Sequence, residues 1–314
     1  MKIVILDDYQ DVAMSMADWS AVKKHHLVQV FNQKLEGEAL LEALADADVI
    51  CAMRERTRFD DNLLRQLPQL KLLITSGMRN SAIDMKAARA LNIPVCGTPN
   101  NGAAAFEMTW ALMLSLVRKV ALEDRRVRAG QWQTTIGGDL KGKTLGIIGL
   151  GKLGQQMVPV AKAFGMKVMA WSPNLTEERA MEADVLFATK AELLSQADIV
   201  TLHMKLSDRT RSLLDTDDIA RMKPSALLIN TSRGPLVNEQ ALITALQSGA
   251  IAGAALDVFD IEPLPAEHPL TTLDNTVLTS HVGFVTENTY RLFYEGMVEA
   301  VKAFLKDEPI RVLN

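Results

Sequence analysis

The chain reads as an α/β protein of two doubly wound parallel-sheet domains. Three observations support this. Short apolar runs alternate with helix-like segments over most of the 314 residues, a glycine-rich turn opens the second half, and a long helical stretch separates the two series. Strands alternating with helices of this length are the pattern of βαβ units and a parallel sheet. At about 100–200 residues per domain, the length also favours two domains.

In the first series the apolar runs Lys2–Leu6, Leu27–Phe31, Asp48–Met53, Lys71–Ser76 and Ile93–Thr98 read as strands. Helical patterns lie between them at Glu38–Ala45, Asp61–Leu67 and Ile83–Leu91. After Gly102, to about Ala129, good helix formers run without Pro or Gly, apolar at first and then charged, which predicts a long buried helix emerging into solvent. Gly137-Gly138 breaks it. The second series has strand candidates at Thr144–Ile148, Lys167–Trp171, Asp198–His203, Ala226–Asn230, Ala254–Val258 and Thr276–Thr279, and a helix from about Glu287 closes the chain. We place the domains at 1–98 plus 288–314 and at 99–287, with a cleft between them.

Composition argues against several classes. Lys and Arg number 34 against 38 Asp and Glu, a net charge of −4 that offers no footprint for nucleic acid. The most apolar stretch, Met108–Val117, falls well short of the roughly 20 residues a membrane span needs. The start, MKIVILDD, turns acidic too early for a secretory signal. Cys51 and Cys96 sit in apolar runs and suggest neither disulfide nor zinc, and the His25-His26 pair lacks a third ligand, so no metal is expected. These features describe a cytoplasmic protein.

The strongest motif is KTLGIIGLGKLG, Lys143–Gly154. Gly149, Gly151 and Gly154 form G-x-G-x-x-G between a strand and a helix that begins at Lys152-Leu153. In that context the first glycine makes a tight turn, the second admits a pyrophosphate, and the third allows close helix–strand packing. Free N–H groups at the helix start then face the phosphates. Three spaced glycines alone mark only a turn; strand before and helix after make this a dinucleotide loop. The acidic residue expected about 20 positions on, for the ribose 2′-hydroxyl, is absent. Ser172 stands there, and the nearest downstream cation is Arg179, so NAD and NADP both remain open.

Further along, apolar strands run into polar residues: Thr231-Ser232-Arg233, Asp257 through Glu262, and Ser280-His281-Val282-Gly283. Each alone is an ordinary loop residue. Together, outside the carboxyl ends of parallel strands, they form a candidate hydride-transfer site. A guanidinium can hold a carboxylate bidentately, an imidazole can pass a proton, and a carboxylate can orient the imidazole.

The strings GIIGLGKLG, INTSRGPLVNEQAL, ALDVFDIEPLP and TSHVG resemble the D-isomer-specific 2-hydroxyacid dehydrogenase family, and the likeness extends over essentially the whole chain through CAMRERT and ITSGMRNSAID. The resemblance implies a Rossmann nucleotide domain inserted into a flavodoxin-like substrate domain. It implies NAD(P)-dependent interconversion of a 2-oxoacid and a D-2-hydroxyacid, in a homodimer. It further implies that Arg233 binds and polarises the substrate, that His281 is the acid/base, and that Glu262 pairs with it. Asp257, Thr231, Ser232, His203 and Gly283 would line the cofactor, and Arg54 with Ser76-Gly77-Met78 the substrate. Arg54 could serve a second anionic group or pair with an acidic neighbour. The family also contains transcriptional corepressors, so a dinucleotide-sensing binding protein with little turnover is the rival expectation. Formate dehydrogenase is disfavoured, because that branch pairs its histidine with Gln.

Overall fold

The computed structural model describes residues 1–100, 102 and 104–314. Its chain divides into two compact units, Met1–Asn101 with Val285–Asn314, and Gly102–Phe284.

The first unit holds a five-stranded sheet of β1 (Lys2–Ile5), β2 (Leu27–Val30), β3 (Val49–Ala52), β4 (Leu72–Thr75) and β5 (Val95–Gly97), in the order β2-β1-β3-β4-β5. All its pairs are parallel, and the order is that of a doubly wound flavodoxin-like sheet. Val4, Ile50, Leu73 and Val95 enter one apolar core with Leu44, Leu64 and Ala88 from the covering helices. The closing helix, Glu287–Phe304, belongs to this unit. Thr286 caps it by accepting from the Thr289 amide, and Tyr290, Phe293, Tyr294, Met297 and Val301 lie buried at helical spacing along one face.

The second unit holds β6 (Thr144–Ile148), β7 (Lys167–Trp171), β8 (Leu186–Phe187), β9 (Ile199–Leu202), β10 (Leu227–Asn230), β11 (Gly253–Leu256) and β12 (Thr276–Leu278). They run parallel in the order β12-β11-β10-β9-β6-β7-β8. Successive strand residues face opposite sides, and the two cores divide accordingly. Val200, Leu202, Leu228, Ala254 and Leu256 go to one side. Ile199, Ile229, Ala255, Leu145 and Ile147 go to the other. Burying each such Leu or Ile contributes roughly 1.5–3 kcal/mol, so the alternation fixes the register firmly. The sheet reverses direction of growth between β6 and β9, the switch point at which open α/β sheets bind ligands.

Two details correct the sequence expectation. The single helix expected over 102–129 is two, Ala104–Val117 and Val120–Arg128, separated where Lys119 turns left-handed at φ 58°. The returning Gly138 amide donates to the Val117 carbonyl at 2.8 Å and so ends the first helix. The two-residue edge strand β8 carries too little pattern to read. Among the described residues no helix is long and apolar enough to cross a membrane.

Candidate active site

Six consecutive strands of the second unit deliver polar groups at their carboxyl ends. In spatial order these are His281 after β12, Asp257 and Glu262 after β11, Thr231 to Arg233 after β10, His203 after β9, the glycine loop after β6 and Ser172 after β7. Positions 132 residues apart in the chain, such as Gly149 and His281, are thereby brought to one edge.

The glycine loop divides its labour by position. Gly149 has φ 103°, and a Cβ there would lie 2.5 Å from the His203 carbonyl oxygen, so only glycine makes this turn against β9. A Cβ on Gly154 would lie 2.2 Å from the Gly149 carbonyl oxygen, which is the close packing of helix on strand. A Cβ on Gly151 would meet nothing within 4 Å. Gly151 is the N-cap of the helix Lys152–Ala163 and supplies no side-chain cap. The first amides of that helix, including those of Lys152 and Leu153, are thus left without a side-chain cap beside an uncrowded Gly151, as a pyrophosphate at the helix start would require. Beside the loop, Ser172 Oγ accepts from the Leu150 amide at 2.8 Å. Arg179 folds back to donate to the Asn174 carbonyl at 3.2 Å.

His203 Nε2 lies 3.0 Å from Thr201 Oγ1, whereas its buried Nδ1 has no partner among the described residues. Burial brings its pKa down to about 3, which keeps the ring neutral. Thr231 Oγ1 bonds Thr109 Oγ1 at 2.7 Å, tying β10 to the buried helix Ala104–Val117. Ser232 Oγ donates to the Leu202 carbonyl at 2.6 Å, and the Asn230 side chain braces the turn by donating to the Arg233 carbonyl at 2.9 Å. Arg233 Nη1 itself donates to the Ser232 carbonyl at 2.7 Å.

Asp257 is almost wholly buried and accepts from Thr279 Oγ1, from the Val282 amide at 2.9 Å and from the Gly283 amide at 2.7 Å. Burial raises its pKa in spite of these donors. The bonds clamp the segment carrying His281 to β11. His281 sits in the left-handed region at φ 54° and packs edge-on against Phe284 at 5.9 Å. Its Nδ1 lies 2.6 Å from Glu262 Oε2, while Glu262 Oε1 accepts from the Phe259 amide at 2.9 Å. Burial pushes the Glu262 carboxyl up, but the hydrogen bond and charge of His281, the Phe259 amide and the nearby Arg233 outweigh it and leave its pKa lowered. Glu262 is thus held as a carboxylate against Nδ1, leaving Nε2 as the ring's second proton-carrying position.

In the first unit the expected substrate residues gather after β3 and β4. The Arg54 amide donates to Ser76 Oγ at 2.8 Å and its Nη1 to the Ser76 carbonyl at 3.1 Å. The Gly77 amide donates to Thr98 Oγ1 at 2.7 Å, and Met78 is 46% exposed. Arg54 also pairs with Glu55 at 3.5 Å, one of the two roles left open for it. Thr109, Glu239 and His268 went unnoticed in the sequence, since their partners lie 122, 21 and 29 residues away with no local pattern to announce them.

A doubly wound sheet with a Gly-cradled helix start at its switch point defines a dinucleotide-binding α/β protein. Residues 110–283 match the family model described as D-isomer specific 2-hydroxyacid dehydrogenase, NAD binding domain. The chain is 36% identical over 280 residues to a glyoxylate reductase of Aeropyrum pernix, covering 85% of this chain and 83% of that protein. It is 38% identical over 278 residues to a D-3-phosphoglycerate dehydrogenase of Methanocaldococcus jannaschii, covering 87% of this chain but 53% of that protein, so it spans about half the length of this relative. The crystal structure of a phosphoglycerate oxidoreductase from Vibrio cholerae superposes with a TM-score of 0.92 at 35% identity, over 98% of this chain and 99% of that one. The chain belongs to the D-isomer-specific 2-hydroxyacid dehydrogenase family, a family of NAD-dependent oxidoreductases, and carries its dinucleotide-binding domain.

Proposed function

We propose that the chain reduces a 2-oxoacid to a D-2-hydroxyacid, and catalyses the reverse, with His281 as the acid/base. The observation that carries this reading is the 2.6 Å bond between His281 Nδ1 and Glu262 Oε2, formed on strand ends next to the one bearing Arg233. When bound, the nicotinamide cofactor would supply the hydride for reduction in its reduced form and take it up for oxidation in its oxidised form. The Arg233 guanidinium anchors the substrate carboxylate and polarises the adjacent carbonyl. His281 Nε2 gives its proton to the oxygen as the carbonyl becomes a hydroxyl, and takes it back in the reverse direction. Glu262 fixes the ring's orientation through its bond to Nδ1. On the family resemblance, Arg54, Ser76, Gly77 and Met78 contribute substrate contacts, and Asp257, Thr231, Ser232, His203 and Gly283 line the cofactor.

Both NAD and NADP are accepted on this reading. Ser172 does not repel a 2′-phosphate, and Arg179 reaches back onto the Ser172–Asn174 turn. A homodimer also fits. The helix Val120–Arg128 buries no residue, and Trp132 and Ile136 stand 77% and 95% exposed just beyond it, an apolar surface that a second copy would cover.

The test is a panel of glyoxylate, hydroxypyruvate and pyruvate with NADH and NADPH, the handedness of the product being determined. At least one should yield the D-hydroxyacid, and His281→Asn should lower kcat roughly 10²–10⁴-fold. Failure to reduce any 2-oxoacid, or full activity in the variant, would overturn the reading.

A further inference from the structure

Glu262 lies on a loop, and a loop alone does not hold a carboxylate at 2.6 Å from an imidazole. Part of the support is local. The backbone of Phe259 and Asp260 presses on Gly234, where an added Cβ would lie 2.1 Å from the Phe259 carbonyl carbon and 2.6 Å from the Asp260 nitrogen. The rest comes from two residues outside the His281–Glu262 pair. Glu239, the first residue of the helix Glu239–Ser248, accepts the Asp260 amide on Oε2 at 3.2 Å. Its Oε1 lies 3.2 Å from His268 Nε2. The Leu270 amide points at His268 Nδ1, 3.4 Å away, so the network makes Nδ1 the acceptor and Nε2 the donor to Glu239. Both side chains are mostly buried, at 19% and 16% exposure, and line a polar cavity with Arg211 and Asp260. Their carboxylate–imidazole pair repeats the chemistry of the acid/base pair, but it is turned onto the backbone of the loop.

We propose that Glu239 and His268 are positioning residues for the acid/base pair, holding the Asp260 amide so that Glu262 stays on His281 Nδ1. The inference rests on the reading of Glu262 and His281 given above. Glu239 takes one N–H from the loop and one from His268, and losing either lets Asp260 move and Glu262 with it. Outer partners of this kind set the geometry of a reacting group, and a displacement of about 1 Å there costs up to roughly 10²-fold in rate.

Full-length Glu239→Ala, Glu239→Gln and His268→Ala are compared with the wild type in hydroxypyruvate reduction. Glu239→Ala and His268→Ala should lower kcat about tenfold or more while KM for NADH stays within about twofold. Glu239→Gln, which can still accept the Asp260 amide but no longer the His268 N–H, should lose about as much as His268→Ala. In a Glu262→Gln background Glu239→Ala should cost little further, because the two act through one contact. Proton NMR gives a reading independent of turnover. The far-downfield imidazole proton expected from the His281–Glu262 bond should vanish in Glu262→Gln and broaden or shift in Glu239→Ala and His268→Ala. Unchanged kcat in the alanine variants, equal cost in both backgrounds, or an unmoved proton signal would overturn the proposal. A wild type inactive on every 2-oxoacid sinks the functional reading instead, and the proton signal still decides the positioning role.

Discussion

Two alanine substitutions only three residues apart in the glycine loop should fail in opposite ways. At Gly151 the backbone is extended, φ −83° and ψ −162°, and a Cβ meets nothing within 4 Å. Alanine gains about 0.4–1 kcal/mol from a stiffer unfolded chain and loses a similar amount as a poorer N-cap. Stability should stay within about 1 kcal/mol, or roughly 4 °C in Tm for a unit of this size. The methyl group occupies the space through which a pyrophosphate would approach the helix amides. Losing one hydrogen bond to a charged group costs about 1.5–3 kcal/mol, so the Kd for NADH should weaken roughly 10–150-fold. At Gly154 the new Cβ would overlap the Gly149 carbonyl oxygen at 2.2 Å, and both partners are backbone. Overpacking of this kind costs about 1–3 kcal/mol, and with no side chain to swing away the upper end applies, a fall of roughly 6–12 °C. Differential scanning fluorimetry and NADH fluorescence titration on both variants separate the two effects. If Gly151→Ala binds NADH within twofold of wild type, the pyrophosphate does not lie over this helix start. An unchanged Tm in Gly154→Ala would refute the packing argument.

Arg233→Ala should lower kcat/KM for the 2-oxoacid by about 10²–10⁴, or roughly 3–5 kcal/mol, with little change in NADH affinity, as steady-state kinetics and titration would show. Wild type should use NADH and NADPH with kcat/KM within roughly 30-fold, about 2 kcal/mol, while Ser172→Asp should penalise NADPH far more than NADH. Both cofactors assayed on both proteins check this. His203, whose folded-state pKa is depressed to about 3 by burial, binds a proton more readily unfolded. Its contribution to stability is complete above the unfolded pKa of about 6.5 and is lost as pH falls towards 3, about 1–2 kcal/mol of it between pH 7 and pH 5. Denaturant unfolding of His203→Gln across that range should show a correspondingly flatter pH dependence. Finally, sedimentation should show a dimer that Trp132→Glu with Ile136→Asp dissociates; a wild-type monomer would end that proposal.

Much of this molecule was legible from local pattern. Eleven strands, the glycine loop and the closing helix each announce themselves within a few residues, because alternation, turn chemistry and capping are short-range. Arg233, Glu262 and His281 stood out as polar groups directly after apolar strands. The sequence did not indicate that Lys119 would break the long helix, since the group that ends it, the Gly138 amide, comes from a later turn. Glu262 was singled out over the neighbouring Asp260 through the family resemblance and not by local pattern, and nothing local said that Glu239 and His268 close on the same loop. Those pairings depend on the strand order β12-β11-β10-β9-β6-β7-β8, which puts the last strands of the unit beside one another and the glycine loop next to β9. That order is set by which sheet neighbours satisfy their backbone hydrogen bonds and bury both faces together, an energy shared by the whole unit and carried by no single stretch of chain.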